Sequence, residues 1–152
     1  MEKQSATLVR NKKANFDYEI LKSFEAGLEL LGFEVKSLRE RHGSLDGAHV
    51  SIRGNEAFLL NAHIPPFQVA NAPKDFDPYR VRRLLLTKGE IEEMAKAEAQ
   101  KGLTIIPFSL YNKGRKIKIE VNIVRGRKKY DKRDVLKKRD TERELRREYS
   151  DR

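Results

Sequence analysis

The chain has 152 residues, 38% hydrophobic and 37% charged, with 33 Lys/Arg against 23 Asp/Glu for a formal net charge of +10, and no cysteine. That length allows one domain with a real core and room for a tail. The charge calls for a polyanionic partner, whose phosphates feel the field before contact, and the missing thiols exclude a disulfide framework, thiol catalysis and thiolate metal sites. No run approaches the roughly 18 apolar residues of a membrane span, and no apolar signal core stands at the N-terminus. A soluble, cytoplasmic protein without a membrane partner is therefore expected.

In chain order, residues 1–10 are polar and expected to be a flexible lead. Asn11-Lys12-Lys13-Ala14-Asn15 introduces the first strand. Tyr18, Ile20 and Phe24 alternate with Glu19, Ser23 and Glu25, which is the period of a half-buried strand. The glycine in Ala26-Gly27 reads as a β-bulge, with Leu28 and Leu30 resuming the pattern. After Gly32 the period turns helical, Val35 and Leu38 facing inward and Lys36 and Arg39 outward. Gly43, Asp46 and Gly47 mark a loop. Ala48, Val50 and Ile52 then form a strand that turns at Gly54-Asn55 and returns through Ala57 to Leu60. A long surface loop through Pro65-Pro66 and Asn71 to Pro78 leads to clustered Arg80, Arg82 and Arg83 and the apolar Leu84-Leu85-Leu86.

Thr87-x-x-Glu90 is a capping box opening a helix with Ile91, Met94 and Ala95 as its apolar stripe and Gly102 as its stop. A hairpin follows: Thr104, Ile106, Phe108 and Leu110 alternate with Ile105, Ser109 and Tyr111. Asn112 to Arg115 turns the chain, and Ile117, Ile119, Val121 and Ile123 return it against Lys116, Lys118, Glu120 and Asn122. A strand face with two lysines suits a phosphate backbone. From Arg125 to the end there are thirteen Lys/Arg against seven Asp/Glu, a net +6, and the apolar residues are too sparse for a docking stripe. Pairs such as Glu142 with Arg146 favour a helix, so this tail is expected to be disordered or helical and to order on a partner. The expected units are thus a flexible 1–10, a body over 11–126 and a basic tail over 127–152.

Enzymatic signals are poor. His42, His49 and His63 lack metal-ligand spacing, no glycine loop cradles phosphate, and no nucleophile–base arrangement is readable. No cofactor or metal is expected. The run Lys128-Lys129-Tyr130-Asp131-Lys132-Arg133 reads equally as a solvated tail or as a ring that stacks on a base among phosphate-neutralising cations.

The chain closely resembles the small protein B family, the partner of transfer-messenger RNA in bacterial ribosome rescue. The resemblance runs from about Asn11 to the end. It rests on Asn11-Lys12-Lys13-Ala14, Phe24-Glu25-Ala26-Gly27, Glu34 to Arg39, Asp77-Pro78 with Arg80, Leu84-Leu85-Leu86, Lys101 to Thr104, and Arg125-Gly126 with Tyr130-Asp131-Lys132-Arg133. The chain departs from the family at Asn15-Phe16, Thr87 and Glu120. The resemblance implies a mainly β (α+β) fold, a small closed antiparallel OB-like β-barrel with flanking helices. It also implies a non-enzymatic adaptor, a monomer when bound to the tRNA-like domain of that RNA. The implied contacts are Asn11, Glu25, Leu85 and Lys118, with Lys13, Tyr18, Lys36 and Arg39 as neighbours. The implied tail, with Tyr130 against the decoding bases, enters the vacant small-subunit decoding centre and mRNA channel of a stalled ribosome. The residues read alone leave an alternative, a general single-stranded nucleic-acid-binding or ribosome-associated barrel. A small hydrolase on the same barrel would need a metal or triad that the sequence does not display.

Overall fold

The computed structural model describes residues 6–68 and 72–127. Among them the elements are β1 (Thr7–Arg10), α1 (Ala14–Asp17), β2 (Tyr18–Leu28), α2 (Gly32–Arg39), β3 (His49–Arg53), β4 (Glu56–Leu60), β5 (Arg82–Leu85), α3 (Lys88–Glu98), β6 (Leu103–Lys113) and β7 (Lys116–Gly126). The strands form one antiparallel sheet in the order β1-β6-β7-β2-β5-β4-β3. Hydrogen bonding runs from one end of that order to the other, and among the described residues no ladder joins β1 to β3. The sheet is therefore open at those strands and not the closed barrel expected. It nevertheless curls, because β3 packs over β6 and Val50, Ile105, Leu110 and Ile119 share one core with Leu38 of α2 and Met94 of α3.

Local signals explain the short connections. At Gly54 and Asn55, φ of +55° and +64° is the left-handed pair that a tight hairpin requires, and Arg53 pairs Glu56 across it. In β6–β7 the strands stay paired out to Lys113 and Lys116, so the turn is only Gly114-Arg115, with Gly114 at φ +64°. The capping box of α3 is complete: the Thr87 N–H donates to Glu90 Oε1 at 3.0 Å and the Glu90 N–H to Thr87 Oγ1 at 3.2 Å. The buried stripe of that helix is Met94 and Ala97, while Ala95 faces solvent.

Bulges depart most from the alternation. The one expected at Ala26-Gly27 is instead at Leu21, since Ile20 pairs Val124, Lys22 pairs Ile123, and Ala26 and Gly27 stay in register with Ile119 and Lys118. One extra residue flips the face, so Tyr18 and Ile20 lie opposite to Phe24, Ala26 and Leu28. A second bulge at Phe108 does the same in β6, between Pro107 and Ser109. Ile105 and Leu110 then belong to the main core, whereas Ile106 and Phe108 join Ala14, Val124 and Tyr18 in a smaller cluster on the other face. The N-terminal expectation also changes, because Thr7–Arg10 is not a loose lead. It is a strand paired with β6, and Leu8 and Val9 are buried.

Candidate RNA interface

The smaller cluster, roofed by α1, covers one end of the outer face of β2, β7 and β6. The other end is open. Ladder partners share a face, and the register lines up Leu85 (β5), Gly27 (β2), Lys118 (β7), Tyr111 (β6) and Thr7 (β1) as one row across the sheet. Alongside it Glu25, Glu120, Ser109 and Arg10 form a second row. The absence of a side chain at Gly27 makes the first row possible. A Cβ there would stand 3.3 Å from Leu85 Cβ and 3.5 Å from Lys118 Nζ. Leu85 is 49% exposed, an apolar side chain presented to solvent beside a cation.

Three open clefts cut this face. One, of about 640 Å³, includes Arg10, Asn11, Lys12, Glu25, Tyr111 and Glu120 in its lining. A second, of about 380 Å³, runs along Glu25, Gly27, Arg83, Leu85, Thr87 and Lys118. A third, of about 310 Å³, carries the surface on to Val35, Arg39, Leu85 and Lys118. Glu25 joins the first two clefts, and Leu85 and Lys118 the last two.

Glu25 is the pivot. Its Oε2 accepts from the Tyr111 hydroxyl at 2.5 Å and its Oε1 from Lys113 Nζ at 2.9 Å. Those two hydrogen bonds, Tyr111 first, hold its carboxyl below the ordinary carboxylate value against the opposing effect of burial. Burial, reinforced by the bond to Glu25, pushes the Tyr111 phenol well up, so it remains a donor.

The sequence-derived candidates do not all fall on one surface. Glu25, Leu85, Lys118 and Arg39 share one continuous surface, with the Arg39 guanidinium also donating to Arg115 O at 2.8 Å. Asn11 lines the cleft of about 640 Å³ but is 8% exposed, and its amide donates to Pro107 O at 3.0 Å, so it braces the chain after β1. Lys13 and Tyr18 line a further cleft of about 430 Å³ with Asp17, Asp46 and His49, which shares Asn11 with the first, and Lys36 stands exposed on α2. Lys128, Lys129, Tyr130, Asp131, Lys132 and Arg133 lie outside the described residues.

Sequence reasoning missed Tyr111 and Lys113 as partners of Glu25. It also missed the charged core beneath the site, where Glu34 and Arg82 are both fully buried. Arg82 donates to Glu34 through Nε at 2.9 Å and Nη2 at 2.5 Å, and to the carbonyls of Ala62 and Pro78 at 2.8 and 3.0 Å. Arg80 meets the other Glu34 oxygen at 2.5 Å, and the Leu31 N–H donates to Glu34 Oε1 at 2.8 Å. This cluster fixes α2, and with it Arg39, against the strand that presents Leu85. Among the described residues no group of three or more His, Asp or Glu could hold a metal ion, and no helix is long and apolar enough to cross a membrane.

The family model described as SmpB protein matches residues 8–151. The chain belongs to the SmpB family. It is 48% identical over 139 residues to the SsrA-binding protein of Mesoplasma florum, covering 91% of this chain and 93% of that relative. With the SsrA-binding protein of Gloeobacter violaceus it shares 44% identity over 146 residues, 96% of this chain and 95% of the relative. A solved chain described as "tmRNA-SmpB: a journey to the center of the bacterial ribosome" superposes with a TM-score of 0.68 at 37% identity, covering 82% of this SmpB-family chain and 87% of that one.

Proposed function

We propose that this SmpB-family chain is a cytoplasmic, non-enzymatic adaptor that binds the tRNA-like domain of transfer-messenger RNA and brings it to stalled ribosomes for trans-translation. The observation that carries this reading is the open row Leu85–Gly27–Lys118–Tyr111, flanked by Glu25, on a chain of net charge +10. A cation for phosphate, an exposed apolar contact and a fixed acceptor stand side by side. Folded RNA is met through backbone, unstacked bases and 2′-hydroxyls, which require all three kinds of group. The open, curled sheet serves as an OB-like platform of the kind whose face takes oligonucleotides. One copy sits on the RNA, and the segment from Lys128 onward supplies the contact with the decoding centre and mRNA channel.

The test is a titration of the tRNA-like domain with Glu25→Gln protein. Removing a negative charge tightens attraction to phosphate if binding is general electrostatics. Weaker binding by the more positive variant supports specific recognition. Equal or tighter binding rejects it and leaves a general nucleic-acid-binding surface.

A further inference from the structure

The Glu25 carboxylate emerges from β2 with an exposed side chain that has three rotatable bonds, a poor arrangement for a precise acceptor. Two donors from the neighbouring hairpin arm restrain it, one to each oxygen: Tyr111 at 2.5 Å and Lys113 at 2.9 Å. Lys113 is 55% exposed in its side chain, so solvent screens its pull. Tyr111 is half-buried in the sheet row between Thr7 and Lys118, so its hydroxyl is the less screened of the two donors. A carboxylate offers about four lone-pair sites, so two accepted bonds leave capacity directed at the cleft of about 640 Å³ that both residues line.

We propose that Tyr111 is a positioning residue for RNA recognition, holding Glu25 as a fixed acceptor that selects a base N–H or ribose 2′-hydroxyl donor over bare phosphate. The proposal rests on Glu25 meeting RNA, as argued above. The surroundings fit that selectivity. Glu120 faces Glu25 across the β2–β7 ladder, and two adjacent carboxylates repel a phosphate at this point. The cations Arg10, Lys12 and Lys118 stand around the rim, where the RNA backbone passes.

The test is a double-mutant cycle on the full chain: wild type, Tyr111→Phe, Glu25→Gln and the double variant, each titrated with the tRNA-like domain and with heparin as a bare polyanion. Phenylalanine keeps the ring and removes only the donor. Tyr111→Phe is expected to weaken RNA binding about fivefold, leave heparin binding unchanged and keep the unfolding midpoint within about 2 °C. In the Glu25→Gln background it should have no further effect. A pH profile separates positioning from packing. The groups facing Glu25 are Tyr111 and Lys113 from β6, Lys118 and Glu120 from β7, Arg10 and Lys12 beside β1, and Arg83 from β5 and Glu90 from α3 in the adjoining cleft. Loss of the Tyr111 donor should move the acid limb of binding to higher pH when Glu25 is present and not when Gln replaces it. An equal cost of Tyr111→Phe in both backgrounds overturns the proposal, because the tyrosine then acts by itself. Wild-type binding by Glu25→Gln alone is a different failure, that of the underlying reading.

Discussion

Lys118 has room for its proposed place in the RNA-binding row only because residue 27 has no side chain. Its ammonium lies 3.5 Å from where a Cβ at Gly27 would stand, so Gly27→Val should displace it and Leu85 together and weaken RNA binding several-fold. The cation's own part is measurable separately. Each neutralised phosphate of a duplex contributes about 0.9 to the slope of log affinity against log salt, so Lys118→Ala should flatten the slope by up to about one contact. An unchanged slope in a salt titration would remove Lys118 from the phosphate footprint. How far single residues could be read in the sequence depends on the kind of signal. Glu25 and Lys118 were reached through family resemblance and lie on one surface. Tyr111 was visible only as one of several alternating residues, and its role depends on register. Placing the turn at Asn112 to Arg115 hides that Lys113 pairs Lys116, which sets Tyr111 opposite Lys118.

At the scale of elements, the buried Glu34–Arg82–Arg80 cluster locks α2 to β5. Burial raises the Glu34 carboxyl, but the bonds from Arg80, the Leu31 N–H and Arg82 outweigh it and leave the group below its ordinary value. Burial also lowers Arg82, so desolvation is incompletely offset on that side. Such a cluster is costly to break even where its net contribution is small. Glu34→Gln leaves fully buried Arg82 without its counter-charge, and about 3–5 kcal/mol of stability should be lost in chemical denaturation. The depressed Glu34 carboxyl also sets a pH dependence. Its contribution is complete above the unfolded carboxyl value of about 4.3 and is lost as pH falls through the lower folded value. Thermal unfolding across pH 5 to 2 should therefore show an acid-labile component that Glu34→Gln lacks. The parity of the sequence carried a hint: Arg82 alternates in step with Leu84, and Glu34 lies one turn before Leu38, both of which are core. The clustering of Arg82 with Arg80 and Arg83 hides it. The β3–β4 hairpin and α3 were legible because turn and cap residues act locally. The bulges at Leu21 and Phe108 were not, since apolar residues occupy both faces there and one inserted residue leaves the composition unchanged.

At the scale of the whole molecule, the periodic apolar residues and both open rows of the sheet lie within the described body, which extends to Arg127. There the Arg127 N–H donates to Asp17 O at 2.9 Å and its Nε to Tyr18 O at 3.2 Å. The segment beyond is rich in cations and holds Tyr130 but offers no apolar stripe for the body. Recognition of the tRNA-like domain and engagement of the ribosome should therefore be separable. That expectation comes from the change in composition after Arg125, while the short strand Thr7–Arg10 brings residues before Asn11 into the folded body. The most direct measurement compares the full chain with one ending at Arg127, scoring both affinity for the tRNA-like domain and peptide tagging on stalled ribosomes. Affinity should stay within about threefold, the loss reflecting only long-range attraction, while tagging is abolished. Tyr130→Ala should reproduce part of that defect and Tyr130→His should not. Normal tagging by the truncated chain, or loss of RNA binding with the tail, would contradict the account.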